Sequence, residues 1–61
     1  MALVTWFVRY KFKSNGQWVQ SIFYVDKTSP DEARAAAEKM LRDAITAEWE
    51  ILEVRMVGEG R

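Results

Sequence analysis

The sequence predicts a single α+β domain with the order ββαβ, a three-stranded antiparallel sheet with one helix packed on one face. Three observations predict it: an Asn15-Gly16 turn between two β-rich runs, a helix-start signal at Ser29-Pro30, and an alternating apolar pattern near the end. With 61 residues and no linker or repeat, residues 1–61 are expected to form one domain.

The first two strands are predicted to form a hairpin. Asn-Gly favours a type I′ turn, because both central residues of that turn need a positive φ. Leu3–Lys13 should therefore pair with Gln17–Asp26. This register places Trp6, Val8, Tyr10 and Phe12 opposite Val25, Phe23, Ser21 and Val19 on one side, and Phe7, Arg9, Lys11 and Lys13 opposite Tyr24, Ile22, Gln20 and Trp18 on the other.

The helix is predicted to begin just after the second strand. Ser29 suits the N-cap, Pro30 the first helical position, and Glu32 stands three residues after Ser29, as in a capping box. Small and apolar residues then recur at helical spacing and give one narrow stripe, which lets the helix axis lie close to the sheet. The stripe consists of Ala33, Ala36, Ala37, Met40, Leu41 and Ala44.

The last strand is predicted over Trp49–Val57, where two sets of residues alternate. Strict alternation would send Ile51 and Glu53 to the side away from the helix, and Glu50 to the helix side. A crossover through the helix favours the order 2-1-3, with the first strand central and antiparallel to both neighbours. The alternative order, 1-2-3, would need a parallel pair of strands at one edge.

One helix can cover only one face of this sheet, so we call the opposite side the helix-free face. It is predicted to carry Leu3, Phe7, Trp18, Ile22, Tyr24, Ile51 and Val57, among Arg9, Lys11, Lys13, Glu53 and Arg55. A contiguous apolar patch on a small protein usually marks an interface. The residues expected to bind a partner are Phe7, Arg9, Lys11, Trp18, Ile22, Tyr24 and Ile51.

Size and composition favour self-association. A chain near 60 residues buries only about 60% of its unfolded surface and needs added stability. The sequence has no Cys for disulfides and no His for a transition-metal site, so oligomerisation remains and a homodimer is expected. The same absences, and too little bulk to enclose a substrate, lead us to expect no enzyme activity, no catalytic residue, no metal and no cofactor.

The predicted function is that of a small protein-binding or scaffolding module, for example a regulator or inhibitor of a larger complex. The alternative is single-stranded RNA or DNA binding, because aromatics beside Lys and Arg can stack bases and neutralise phosphates. The formal net charge of zero disfavours that alternative. A third interpretation is a monomer whose Lys and Arg stems cover the patch. No apolar run is long enough to cross a membrane, and a cytoplasmic location is expected.

Overall fold

The computed structural model describes residues 3–59 and confirms the predicted ββαβ fold. Its elements are β1 (Val4–Ser14), β2 (Gln17–Lys27), α1 (Pro30–Ala44) and β3 (Trp49–Glu59). The sheet has the order β2-β1-β3, with β1 antiparallel to both neighbours. Within residues 3–59, no helix combines the length and the apolar composition that crossing a membrane requires.

The hairpin has the register that the turn predicts. Asn15 and Gly16 both have positive φ, 52° and 80°, and Ser14 pairs with Gln17. Pairing then continues without interruption to the far end of the hairpin, where Val4 lies opposite Lys27. The two-residue turn fixes this register, and so each face of the hairpin carries the side chains that the sequence assigned to it.

Helix α1 begins at the predicted cap. The backbone N–H of Glu32 donates to Ser29 Oγ at 3.2 Å, and Pro30 occupies the start of the helix. The Glu32 carboxylate accepts hydrogen bonds from both the backbone N–H and the hydroxyl of Thr28, whereas a standard capping box would use the N–H of Ser29. The cap therefore includes one residue more than predicted.

Strand β3 departs from strict alternation at two bulges. Arg9 pairs with Glu53 but Tyr10 pairs with Ile51, so Leu52 is an extra residue. A second register shift leaves Val57 as the extra residue, since Thr5 and Trp6 pair with Gly58 and Met56. A bulge shifts the alternation of every residue beyond it.

The first bulge makes two sequence predictions wrong. Ile51 lies opposite Tyr10, on the helix side of the sheet, and not on the helix-free face as predicted. Glu50 lies opposite Lys11 and so shares the helix-free face with Glu53, although alternation had placed these two carboxylates on opposite sides. Both predictions are wrong for the same reason: the extra residue Leu52 shifts the pairing of Ile51 and Glu50 by one position, which moves each side chain to the opposite face.

The core between helix and sheet is small. Among the described residues, the buried apolar side chains are Trp6, Val8, Ala33, Ala37 and Leu41. Trp6 can be buried because its indole N–H donates to the carbonyl of Lys27 at 3.0 Å. Around this centre Tyr10 packs against the rings of Phe12 and Phe23, at centroid distances of 6.0 and 5.5 Å. Of the predicted stripe, Ala33, Ala37 and Leu41 are buried against the sheet and Ala36 is half-buried, whereas Met40 and Ala44 are exposed. The two buried alanines let the helix lie close to the sheet, but the stripe covers less of it than predicted.

Candidate protein-association face

The helix-free face has an aromatic centre on β1. Phe7 lies between Tyr24 of β2 and Arg55 of β3, its partners in the two strand pairings. The Phe7 and Tyr24 rings meet edge to face at 5.8 Å, and the Arg55 guanidinium carbon lies 4.7 Å from the Phe7 centroid. One neighbour on each side therefore holds Phe7 in place, while Tyr24 remains exposed.

Next to this centre, Glu53 links two arginines. Arg9 Nε lies 3.4 Å from one carboxylate oxygen of Glu53, and Arg55 Nε lies 3.4 Å from the other. The Arg9 Nε atom itself is buried and, among the described residues, has no partner with hydrogen-bond geometry. The Glu53 carboxylate thus neutralises part of the positive charge in the middle of this face. Because Arg9 and Glu53 belong to the same chain, this ion pair needs no second copy to form.

Near the turn, Trp18 lies beneath two lysines. Lys11 Nζ is 4.5 Å and Lys13 Nζ is 5.5 Å from the Trp18 ring centroid, and Lys13 is the residue paired with Trp18 across the hairpin. Lys13 Nζ also lies 3.9 Å from a carboxylate oxygen of Glu48. The cations at this end of the face therefore already contact a ring or a carboxylate of their own chain.

Large apolar side chains nevertheless remain open to solvent on this face. Tyr24 is 57% exposed, Val57 55%, Ile22 49% and Trp18 45%. Tyr24 and Val57, together with Thr5 and Asp26, line a shallow depression between the two outer strands. Four large apolar side chains are therefore exposed on one face of a domain whose core is small.

The structure places six of the seven predicted partner-binding residues together on this face. They are Phe7, Arg9, Lys11, Trp18, Ile22 and Tyr24, and only Ile51 is excluded, by the bulge. Sequence reasoning missed that Glu50 lies on this face and that Thr5 Oγ1 donates to an Asp26 carboxylate oxygen at 2.7 Å. The predicted hairpin register already places Thr5 opposite Asp26, so this hydrogen bond could have been predicted from the sequence.

Comparison of the chain with protein-family models, with curated proteins and with solved structures finds no match in any of the three.

Proposed function

We propose that this protein is a small, non-enzymatic binding module that self-associates through its helix-free face, with the homodimer as the smallest unit. It would act in the cytoplasm as a scaffold, or as a regulator or inhibitor of a larger complex. The observation that carries the proposal is the exposure of Tyr24, Val57, Ile22 and Trp18 on one surface. Aromatic and arginine side chains are enriched at the centres of protein interfaces.

The size of the core supports the same proposal. In the part of the chain that the structure describes, only five side chains are buried and two of them are alanines, which leaves the isolated protomer with little hydrophobic stabilisation. Burying the helix-free face would add apolar area at about 25 cal/mol per Å², and this gain would be available only to an associated protomer. Folding and association are then expected to be linked.

The charge arrangement favours a protein surface over a nucleic acid as the partner. Glu53 contacts Arg9 and Arg55, and the Trp18 ring has Lys11 over it. A ring already covered by a cation offers less surface to a base, and a neutralised cation releases few counterions from phosphates. A surface that carries both positive and negative side chains also suits a two-fold interface, because in such an interface the surface contacts a copy of itself.

The experiment uses two neighbouring residues of β3. Val57 lies on the helix-free face and Met56 on the helix side, and both are more than half exposed, at 55% and 63%. Val57→Lys should reduce the mass measured by light scattering at a fixed concentration, because a charge would be buried in the interface. Met56→Lys, with the same added charge on the same strand, should leave the mass at the wild-type value.

A wild-type protein that is a single chain throughout a concentration series would contradict the proposal. So would equal masses for Val57→Lys and Met56→Lys in a wild-type background that does associate. Retardation of single-stranded RNA or DNA at low salt, abolished by Arg9→Glu together with Lys11→Glu, would support the nucleic-acid alternative instead.

A further inference from the structure

Strand β2 forms an open edge of the sheet, and its sequence lacks the usual protection. Residues 17–25 contain no charge and no proline, and the pairing of β2 with β1 has no irregularity. The opposite edge, β3, has two bulges and carries Glu50, Glu53 and Arg55. Bulges and charges are the common devices that stop an edge from pairing with another chain. Strand β3 has both devices along its length, whereas residues 17–25 of β2 have neither.

The backbone of β2 presents a defined set of groups at this edge. The N–H of Lys13 donates to the carbonyl of Glu48 at 2.9 Å, on the β3 side of β1, so Lys13 and Trp18 are a non-hydrogen-bonded pair. The N–H and C=O of Trp18 therefore point away from β1. Because this orientation alternates along an antiparallel pair, the outward-pointing residues are Trp18, Gln20, Ile22, Tyr24 and Asp26.

This edge is complementary to a second copy of itself. Strand β2 runs from Gln17 to Lys27, and its middle residue is Ile22, one of those whose backbone points outward. Antiparallel pairing centred on Ile22 uses all eleven residues of both strands without an overhang. It sets Tyr24 opposite Gln20, Val25 opposite Val19, and Asp26 opposite Trp18, so no like charges face each other.

The area of the helix-free face also calls for a wider sheet. Three strands of eleven residues give a flat projection on the order of 500 Å². Stacking two such faces buries about 1,000 Å² in total, which suits a weak dimer but is less than the roughly 1,200–2,000 Å² of stable interfaces. A six-stranded sheet formed by two β2 edges doubles that area and reaches this range.

The helices do not obstruct this pairing. A two-fold axis perpendicular to the sheet keeps both copies of α1 on the same side, above the two central strands. Those strands would lie three strand spacings apart, about 14 Å. Packed helices are separated by about 8–10 Å, so the two copies would not collide.

We propose that β2 pairs antiparallel with β2 of a second copy, centred on Ile22, and that two of the resulting six-stranded sheets stack through their helix-free faces. The assembly then contains four chains. The stacking step rests on the function proposed above, whereas the edge pairing does not.

Amide hydrogen exchange of the wild-type protein tests the edge pairing directly, because the two sets of β2 amides serve as each other's control. The inward amides of Ser21 and Phe23 bond to β1 and should exchange slowly in any folded state. With edge pairing, the outward amides of Gln20, Ile22 and Tyr24 should exchange within about tenfold of that rate. Without it, they should exchange far faster than their inward neighbours.

A matched pair of variants tests the same contact by mass. Gln20→Pro removes an outward N–H and leaves the β1 pairing intact, as proline is tolerated on a strand whose N–H faces solvent. Gln20→Ala loses the same side chain but keeps the N–H. Light scattering should give two chains or fewer for Gln20→Pro and four for Gln20→Ala, with circular dichroism checking that both are folded.

The outcomes separate this inference from the proposed function. Fast outward amides in a wild-type protein of two chains would overturn the edge pairing and leave association through the helix-free face standing. A folded Gln20→Pro variant that keeps four chains would also overturn it. A wild-type protein of one chain, with fast outward amides, would overturn both.

Discussion

Arg9 and Glu53 lie directly opposite each other where β1 pairs with β3, with Arg9 Nε 3.4 Å from the Glu53 carboxylate. Both side chains are only partly exposed, 42% and 36%, and the Arg9 Nε atom is buried. The pair occupies the middle of the helix-free face, beside Phe7 and Arg55. The Glu53 carboxylate offsets the positive charge of Arg9 and Arg55, which lie beside aromatic side chains on this face.

We predict that Glu53→Gln destabilises the protein by about 1 kcal/mol, because two arginines lose their shared counter-charge in a partly buried setting. Glu48→Gln is the control, since Glu48 is 73% exposed and 3.9 Å from Lys13. Chemical denaturation at one protein concentration should show the loss for Glu53→Gln only. The difference should shrink at about 1 M salt, where charges are screened over about 3 Å. Equal denaturation midpoints for the two variants would contradict the structural role given to Glu53.

The hairpin could be predicted residue by residue because its register has a local cause. A two-residue turn with positive φ at Asn15 and Gly16 leaves one way to pair the flanking strands. The faces of β1 and β2 follow from that turn, and so does the placement of six of the seven predicted partner-binding residues on the helix-free face. The strand order also followed, because a central β1 suits its apolar sequence and needs no parallel edge pair.

Strand β3 could not be predicted in the same way, because a bulge is an unpaired residue that simple alternation does not represent. Each bulge nevertheless falls at two consecutive apolar residues, Ile51-Leu52 and Met56-Val57. Such doublets break the apolar–polar alternation of a half-buried strand and are the available signal. The Ile51-Leu52 doublet was therefore the only sequence feature from which the faces of Ile51 and Glu50 could have been predicted. Ion pairs and cation–ring contacts depend on side-chain conformations, which a pattern does not specify.

The close approach of α1 to the sheet leads to a second prediction. Ala33 and Ala37 are fully buried, whereas Ala35 on the same helix is exposed. Ala37→Leu adds three carbon atoms where there is no room and should cost about 1–3 kcal/mol. Ala35→Leu makes the same chemical change in solvent, and because both residues are good helix formers it should cost little.

Thermal unfolding measures this difference. A loss of 1 kcal/mol corresponds to a fall of about 4–8 °C in Tm for a domain of this size. Ala37→Leu should therefore melt well below Ala35→Leu at equal protein concentration. If the two variants melt together, the helix does not lie as close to β1 as the structure shows.

The cap of α1 leads to a prediction about pH. The hydrogen bond from the Thr28 hydroxyl is the largest influence that lowers the pKa of Glu32 below its ordinary value of 4.5, and the Thr28 backbone N–H and the charge of Lys27 act in the same direction. Partial desolvation of the carboxyl opposes them. A pKa that is lower in the folded state means that the carboxylate form stabilises folding.

This stabilisation is fully present above the ordinary pKa of 4.5 and is lost as the pH falls through the lowered value. Thr28→Val removes the hydroxyl and keeps the shape, so the Glu32 pKa should rise towards its ordinary value in a carbon-13 NMR titration. The variant should be less stable than wild type at about pH 7, and the difference should narrow as the pH falls below 4.5 and through the lowered pKa. Thr46→Val, which changes an exposed threonine after the helix, should alter neither quantity. A Glu32 titration unchanged in Thr28→Val would show that another group lowers its pKa.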